Sequence, residues 1–494
     1  MSRPSPSPAA APTTPDPAHT GGTALARRRL GVWGIVFFVI SAAAPLTVVA
    51  SAAPTGFRLG GIGGPGAILA AGVVLMLFAC GFTAMSRYVR NAGAFYVYGA
   101  RGLGKPVGIG IVFVTIFSYA ALCVCFYGFV GFFGQMTVKT LFGIDLPWPV
   151  YALLALVIVG ALGYRKIDVG ATVLAVLLTA EVAILLVLAI AVLVQGGPEP
   201  LSLASFAPQN VFFATGRGAL FVLGFGAYLG FESTAIYTEE AKNPARTVPM
   251  ATYIAIAFLG LFYGFTFWIL TVAFGVDGVL RLAAGDGFQD MVFDAGQRYV
   301  GLWTSVAMRL LIVTSFFACL LAFHNACSRY LFSIGRERLL PAWLARTQSR
   351  TQAPHHASLV MSVVALLAII AAIAFGVDPF LGFALPVYSL GVAGLVFAQA
   401  VAAIAVVGFF LRDRRGHSVW RVVVAPALGA LGLIAAFVLI AVHFDLVSGV
   451  TGPVNAALIA PTPLLFVAGV VTGLVLRARD PRHYAELTTV VVDD

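Results

Sequence analysis

Apolar residues along this chain gather into long runs separated by short polar breaks. A helix that crosses the hydrocarbon layer needs about 20 mainly apolar residues. Twelve runs fit that requirement, at roughly 31–55, 65–85, 107–136, 147–163, 171–195, 218–237, 248–274, 302–326, 358–376, 384–410, 421–442 and 456–476. The pattern predicts an all-α polytopic membrane protein with 12 transmembrane helices. Residues 1–29 are rich in Pro, Ala and Thr with almost no large apolar side chain, which predicts a disordered cytoplasmic tail. The apolar run that starts at Leu30 is too long for a signal peptide. Between the seventh and eighth runs, residues 275–301 carry Asp277, Asp286, Asp290 and Asp294 with apolar residues between them. That pattern predicts an amphipathic helix lying on the outer surface.

The cations between runs set the orientation, because inner loops retain Lys and Arg. With the N-terminus inside, the inner segments hold 24 of the 30 Lys and Arg and the outer segments hold 5, with Arg309 within the eighth run. A miscounted run would flip every later loop and destroy this bias. Both termini are therefore predicted to be cytoplasmic, in the plasma membrane, with a second cytoplasmic tail at 477–494.

Composition agrees. The chain is 60% hydrophobic and 10% charged, against about 25% charged in soluble domains. The net charge of +10 is scattered between apolar runs, with no basic domain that would bind nucleic acid. All five cysteines fall inside apolar runs and read as small core residues. Gly61-Ile-Gly63-Gly64-Pro65-Gly66 matches a dinucleotide fingerprint, but no strand precedes it and the charge bias puts it outside, so it reads as a turn. There is no phosphate loop of the ATP-binding type, and no loop gathers a nucleophile with a base or a metal-ligand set. The sequence calls for no ATP, no cofactor and no enzymatic activity.

Two runs carry helix-breaking sequence near mid-membrane. The first contains Ser41-Ala42-Ala43-Ala44-Pro45-Leu46. Pro45 lacks a donor and disfavours helix at Ala44. The sixth contains Phe225-Gly226-Ala227-Tyr228-Leu229-Gly230-Phe231-Glu232, preceded by Gly224. These breaks occupy corresponding positions if 30–195 and 214–410 are two five-helix repeats, with 421–476 as two additional helices. Paired interrupted helices are the sequence pointer to a transporter binding site. Freed amides at such breaks can hold a carboxylate. The alternative is that Pro and Gly merely kink packed helices. The candidate substrate-binding residues are Ser41, Ala42, Ala43, Ala44, Pro45, Leu46, Phe225, Gly226, Ala227, Tyr228 and Leu229, with Tyr119 of the third run.

Ionisable groups inside the bilayer are costly and are functional candidates by default. Glu232 is read as a gate or proton-coupling group, or else as a cap on freed backbone amides. Glu181 in the fifth run is read as a coupling group, or else as a carboxyl bonded to a neighbouring helix. Ser315 and Thr314 are the hydroxyls that the eighth run offers it. Arg309 is expected to extend to the interface, His324 to make an inter-helix hydrogen bond, and Tyr127 to pack.

Three stretches then carry a resemblance. Gly230-Phe231-Glu232, Glu239-Glu240 and Lys242-Asn243-Pro244-Ala245-Arg246 through Pro249 resemble the stretch around the sixth span of amino acid permeases in the amino acid–polyamine–organocation superfamily. His324-Asn325 through Gly335 and Pro341 is similar to that family's eighth-span exit. Asn91-Ala92-Gly93-Ala94-Phe95-Tyr96 resembles the segment before its third span. The resemblance covers about residues 30–476. It implies a leucine-transporter-type 5+5 inverted repeat plus two extra helices, and secondary active movement of an amino acid or related amine with the substrate on the backbone of the two breaks. Two features depart from the family pattern. Its glycine-rich first break is replaced here by Ser41 to Leu46, and Glu181 stands near the place where several proton-coupled relatives carry a lysine. A proton is the expected coupling partner. Ion-independent exchange, or a transport-dead sensor or scaffold, are the alternatives.

Overall fold

The computed structural model describes residues 31–88, 94–165, 171–232, 234, 241–347 and 353–487. The expected tail 1–29, the Asn91 to Gly93 stretch, Glu239 and Glu240 lie outside them, as do the side chains of Ser41 and Ala42. The described residues are all-helical, with helices and turns but no strand. Nine helical segments among them are long and apolar enough to cross a membrane, and Trp148–Gly163 and Arg217–Gly226 are shorter apolar helices. Each of the twelve apolar runs is helical over most of its described length.

The core sits around the Lys105–Phe142 helix, which packs against Leu302–Arg336, Leu385–Arg412 and Pro461–Arg479. Without a hydrophobic driving force between helices in lipid, close backbone approach through small residues supplies the contact. Gly469 and Gly473 do this for the last long helix. A Cβ on Gly469 would meet Gly110 Cα at 2.7 Å, and one on Gly473 would meet Pro106 Cα at 2.6 Å. That Gly-x-x-x-Gly spacing is legible in the sequence.

The first run breaks beside Pro45, as its sequence predicts. Helix Val32–Ala43 ends at Ala44, whose backbone is left-handed (φ 44°, ψ 79°). A non-glycine residue there costs roughly 1–2 kcal/mol. The break is held because Ala44 N donates to Ile40 O at 3.2 Å and Thr47 Oγ1 donates to Ala44 O at 2.7 Å. The chain resumes through Pro45–Thr47, a widened turn at Val48–Ala52, and Ala53–Gly60. Gly61–Gly63 is a short turn into Gly64–Met85, so the turn read for the glycine cluster covers its first half and Gly64 to Gly66 begin the helix. In the sixth run, helix Arg217–Gly226 stops at Gly226, and Gly230 adopts φ 97°.

Residues 275–301 differ from expectation. They form two short helices, Val276–Ala284 and Met291–Tyr299. Their apolar sides, including Val279, Ala283, Phe288, Val292 and Phe293, are buried against protein. The amphipathic period was read correctly, in two short helices rather than one, and its apolar face packs on the rest of the protein. Arg58 fixes this cap by donating to Ala283 O and Gly285 O, each at 3.0 Å, with its guanidinium 4.6 Å from the Phe288 ring centre. Arg309 does not end in water either. It is buried and paired with Asp290 of the cap at 2.6 Å. His324 Nε2 bonds Ser358 Oγ of the next long helix at 2.8 Å. Tyr127 is buried in the core.

Candidate functional site

The two breaks flank one partly open cavity. Ala43 of the first break and Gly226 and Leu229 of the second line it. Beyond the first break, Thr47, Ser51 and Thr55 face it at four-residue intervals, so all three share one side of the helix. The opposite walls are aromatic: Phe126 and Phe129 from Lys105–Phe142, Phe316 and Phe323 from Leu302–Arg336, and Phe380 and Tyr388 near the start of Leu385–Arg412. These rings pack on one another, with Phe129 and Phe316 stacked at 5.1 Å and Phe126 and Phe323 also 5.1 Å apart. Asp378 caps the turn that carries Phe380 by accepting from Phe380 N at 2.9 Å. On the side of the 275–301 cap, Phe288 meets Phe380 edge-on at 6.1 Å. Gln289 Nε2 donates to Thr55 Oγ1 at 3.2 Å.

Both intramembrane carboxyls sit just behind this cavity, and each holds a freed backbone amide. Glu181 is 3% exposed and accepts from Leu46 N at 3.1 Å. Pro45 has no N–H, so Leu46 supplies the first amide of the resumed helix, an orphan donor by geometry. Ser315 lies beside the same carboxyl, although its hydroxyl makes no hydrogen bond of good geometry. Glu232 is 4% exposed. It accepts from Gly230 N at 3.1 Å and from Tyr119 Oη at 2.8 Å. Tyr119 in turn packs on Phe323 of the cavity wall and on Tyr330, with ring centres 5.7 and 5.2 Å away. Leaving either buried amide without a partner would cost about 1–3 kcal/mol, so the carboxyls help to fix the breaks.

The named break residues therefore divide. Ala43, Gly226 and Leu229 face the cavity. Ala44, Pro45 and Leu46 are buried behind it, where Leu46 meets Glu181. Phe225, Ala227 and Tyr228 are buried in helix packing, and Tyr228 Oη donates to Ile68 O at 2.8 Å. Tyr119 serves Glu232 rather than the cavity surface. Sequence reasoning missed Thr47, Ser51 and Thr55, although their spacing after Pro45 was a legible signal. It also missed the aromatic walls, because the chain carries 39 Phe and no spacing singled these out.

A cavity between two broken helices in an all-helical bundle is the arrangement in which transporters place their binding sites. The model of the amino acid permease family matches residues 30–475. This chain belongs to the amino acid permease family and is a transporter, not an enzyme. An uncharacterised transporter of Mycobacterium tuberculosis is 25% identical over 351 residues, covering 69% of this chain and 74% of that protein. The vacuolar cationic amino acid transporter 4 of Arabidopsis thaliana is 24% identical over 325 residues, covering 62% and 52% respectively. The methylthioribose transporter of Bacillus subtilis is 29% identical over 141 residues, covering 28% and 29%.

Proposed function

We propose that this protein is a secondary active transporter of an amino acid or small amine, coupled to protons and working by alternating access around the two broken helices. The supporting observation is the pair of buried carboxyls, Glu181 and Glu232, each bonded to an amide freed by one break and both adjoining one cavity. Neither has a positively charged side chain among its described hydrogen-bond partners. An isolated charge in such surroundings is costly, and a proton is the partner that neutralises it. A proton on either carboxyl changes what that oxygen can accept, and so changes how firmly the adjoining half-helix is held. That links protonation to the movement of the breaks. Ion-independent exchange is the second reading. It is favoured by the same contacts if the carboxyls serve only as permanent caps.

Uptake into proteoliposomes separates the two. The proton reading expects uptake that rises at acidic external pH, collapses with an uncoupler and is indifferent to replacing sodium. Glu181→Gln keeps counterflow exchange but loses uphill accumulation. Glu232→Gln slows net uptake and keeps substrate affinity within about tenfold, roughly 1.4 kcal/mol. The reading fails if both variants accumulate substrate at the native rate across the pH range, or if uptake requires sodium.

The repeat, the twelve spans, the plasma-membrane location and the cytoplasmic termini belong to the same proposal. They are supported by the charge bias and the paired breaks. Single cysteines at Asp286 and Arg414, both exposed, test it with an impermeant thiol reagent in intact cells. Labelling is expected at 286 and not at 414, and the opposite pattern overturns the orientation.

A further inference from the structure

At a broken helix, a substrate carboxylate needs free amide hydrogens or a cation. The amide inventory here leaves neither at the described break residues. In the first break, Ala44 N donates to Ile40 O, Pro45 has no hydrogen, Leu46 N donates to Glu181, and Thr47 N and Val48 N both donate to Ala44 O. In the second, Ala227 N, Tyr228 N, Leu229 N and Phe231 N donate to Leu223 O, Phe225 O, Gly226 O and Tyr228 O, and Gly230 N donates to Glu232. Among the described residues, no Lys, Arg or His lines the cavity. The carboxyls nearest it are those of the two glutamates. Glu181 lies behind Leu46 and Cys319, and Glu232 lies behind Tyr119 and Phe323. Among the described residues, a carboxylate entering this cavity would lose its water, find no cation and no free amide at either break, and meet the single hydroxyl of Tyr388 beside Gly226.

The polar edge of the cavity has the opposite character. Thr47 Oγ1 donates to Ala44 O at 2.7 Å, Ser51 Oγ to Thr47 O at 2.6 Å and Thr55 Oγ1 to Ser51 O at 2.6 Å. Each hydroxyl has spent its one hydrogen on its own helix, so its oxygen can only accept, and Thr47 already has the Cys319 thiol beside it as a partner. Three such oxygens on one helix side form a stripe of acceptors, of which Thr55 already accepts from Gln289. An ammonium group, with three donors and no acceptor, matches that stripe. The rings of Phe126, Phe129, Phe316, Phe323, Phe380 and Tyr388 complete the enclosure. Aromatic faces attract a cation electrostatically, and they pack against an apolar body.

We infer that the cargo is a small organic amine with an apolar, aryl-sized body and no carboxylate, its ammonium accepted by the Thr47–Ser51–Thr55 stripe. This inference rests on the transport reading above and names its substrate class.

The test uses the full chain, purified in detergent for binding and reconstituted for uptake. The probes are phenethylamine, L-phenylalanine and 3-phenylpropionate, which share one ring and differ only in amine and carboxylate. Phenethylamine is expected to bind, phenylalanine to bind at least about tenfold more weakly, and phenylpropionate not at all. Ser51→Ala, and separately Thr47→Val, are expected to weaken phenethylamine by about five- to tenfold, as loss of one buried hydrogen bond does. Size-exclusion profiles confirm that the variants are folded. Phenylalanine binding as tightly as phenethylamine overturns the inference, and so does unchanged amine affinity in both folded variants. If phenylalanine or another standard amino acid is then taken up, and Gly226→Trp blocks that uptake, the transport reading stands without the amine. If the folded native protein takes up no amine and no amino acid, both fall together.

Discussion

Gly226→Trp is expected to abolish uptake while leaving a protein that is folded in detergent. Gly226 ends the Arg217–Gly226 helix and lies on the cavity wall. Even a single Cβ there would overlap the hydroxyl of Tyr388. Tyr388 is the movable partner, since the overlapping atoms are the far end of its ring and its own backbone is fixed in Leu385–Arg412. Gly226→Ala therefore pushes that ring into the cavity, and an indole, which covers about 150–250 Å² of surface, fills the space that remains. The expected order is native uptake first, Gly226→Ala reduced by about tenfold, roughly 1.4 kcal/mol, and Gly226→Trp with none. Gly226→Ala combined with Tyr388→Leu gives back part of the loss, because the clash is with the ring. Native uptake rates in a folded Gly226→Trp protein would remove this cavity from the transport path. A Gly226→Ala defect that Tyr388→Leu does not relieve would place the strain in the backbone of the break instead.

The fold was legible wherever local chemistry alone dictates it. Twenty apolar residues in a row make a helix in lipid because every backbone group must bond within the segment, and the runs became helices. Pro45 stopped the first run at Ala44 because its ring and missing hydrogen act on the immediate neighbours. The glycines around Gly226 stopped the sixth run for an equally local reason. What was hidden depends on two distant segments meeting. Glu181 and Leu46 are 135 positions apart, and Tyr119 and Glu232 are 113 apart. Either glutamate could be suspected of capping an amide, but the sequence does not say which amide. The 275–301 cap shows the same limit. A period of 3.6 reports that one face is apolar, not whether lipid or protein covers it. In the cavity, the threonine and serine stripe was readable by spacing, whereas its meaning depends on each hydroxyl having donated backward to its own helix. The widened turns at Val48–Ala52 and Pro379–Ala384 have no evident sequence signal at all.

Asp290→Ala is expected to destabilise the folded protein by breaking the ion pair that ties the cap to the Leu302–Arg336 helix. Arg309 sits about two turns into the Leu302–Arg336 helix, and its side chain is 7% exposed. Its guanidinium reaches Asp290 at 2.6 Å and lies 4.4 Å from the centre of the Phe293 ring. Removing one partner of a buried pair strands the other charge, at a cost of about 3–5 kcal/mol. Asp290 is 35% exposed, so water reaches that side and the expected loss is smaller, about 2 kcal/mol. Asp294, one turn further on, moderates it. Burial and the neighbouring Asp290 hold the Asp294 carboxyl above the ordinary carboxylate range, while Arg309 pulls it back down. Without Asp290 the repulsive neighbour is gone, and Asp294 becomes the remaining acid near Arg309. Asp290→Ala/Asp294→Asn should therefore melt at a lower temperature than Asp290→Ala alone. Replacing both ends of the pair, in Asp290→Ala/Arg309→Met, leaves no buried charge and should recover most of the loss. A melting series in detergent, read with tryptophan fluorescence, orders the four proteins. If Asp290→Ala and the double variant with Arg309→Met melt alike, the pair contributes nothing as a pair. The cap would then be held by Arg58 on the carbonyls of Ala283 and Gly285 and by the buried faces of its two helices.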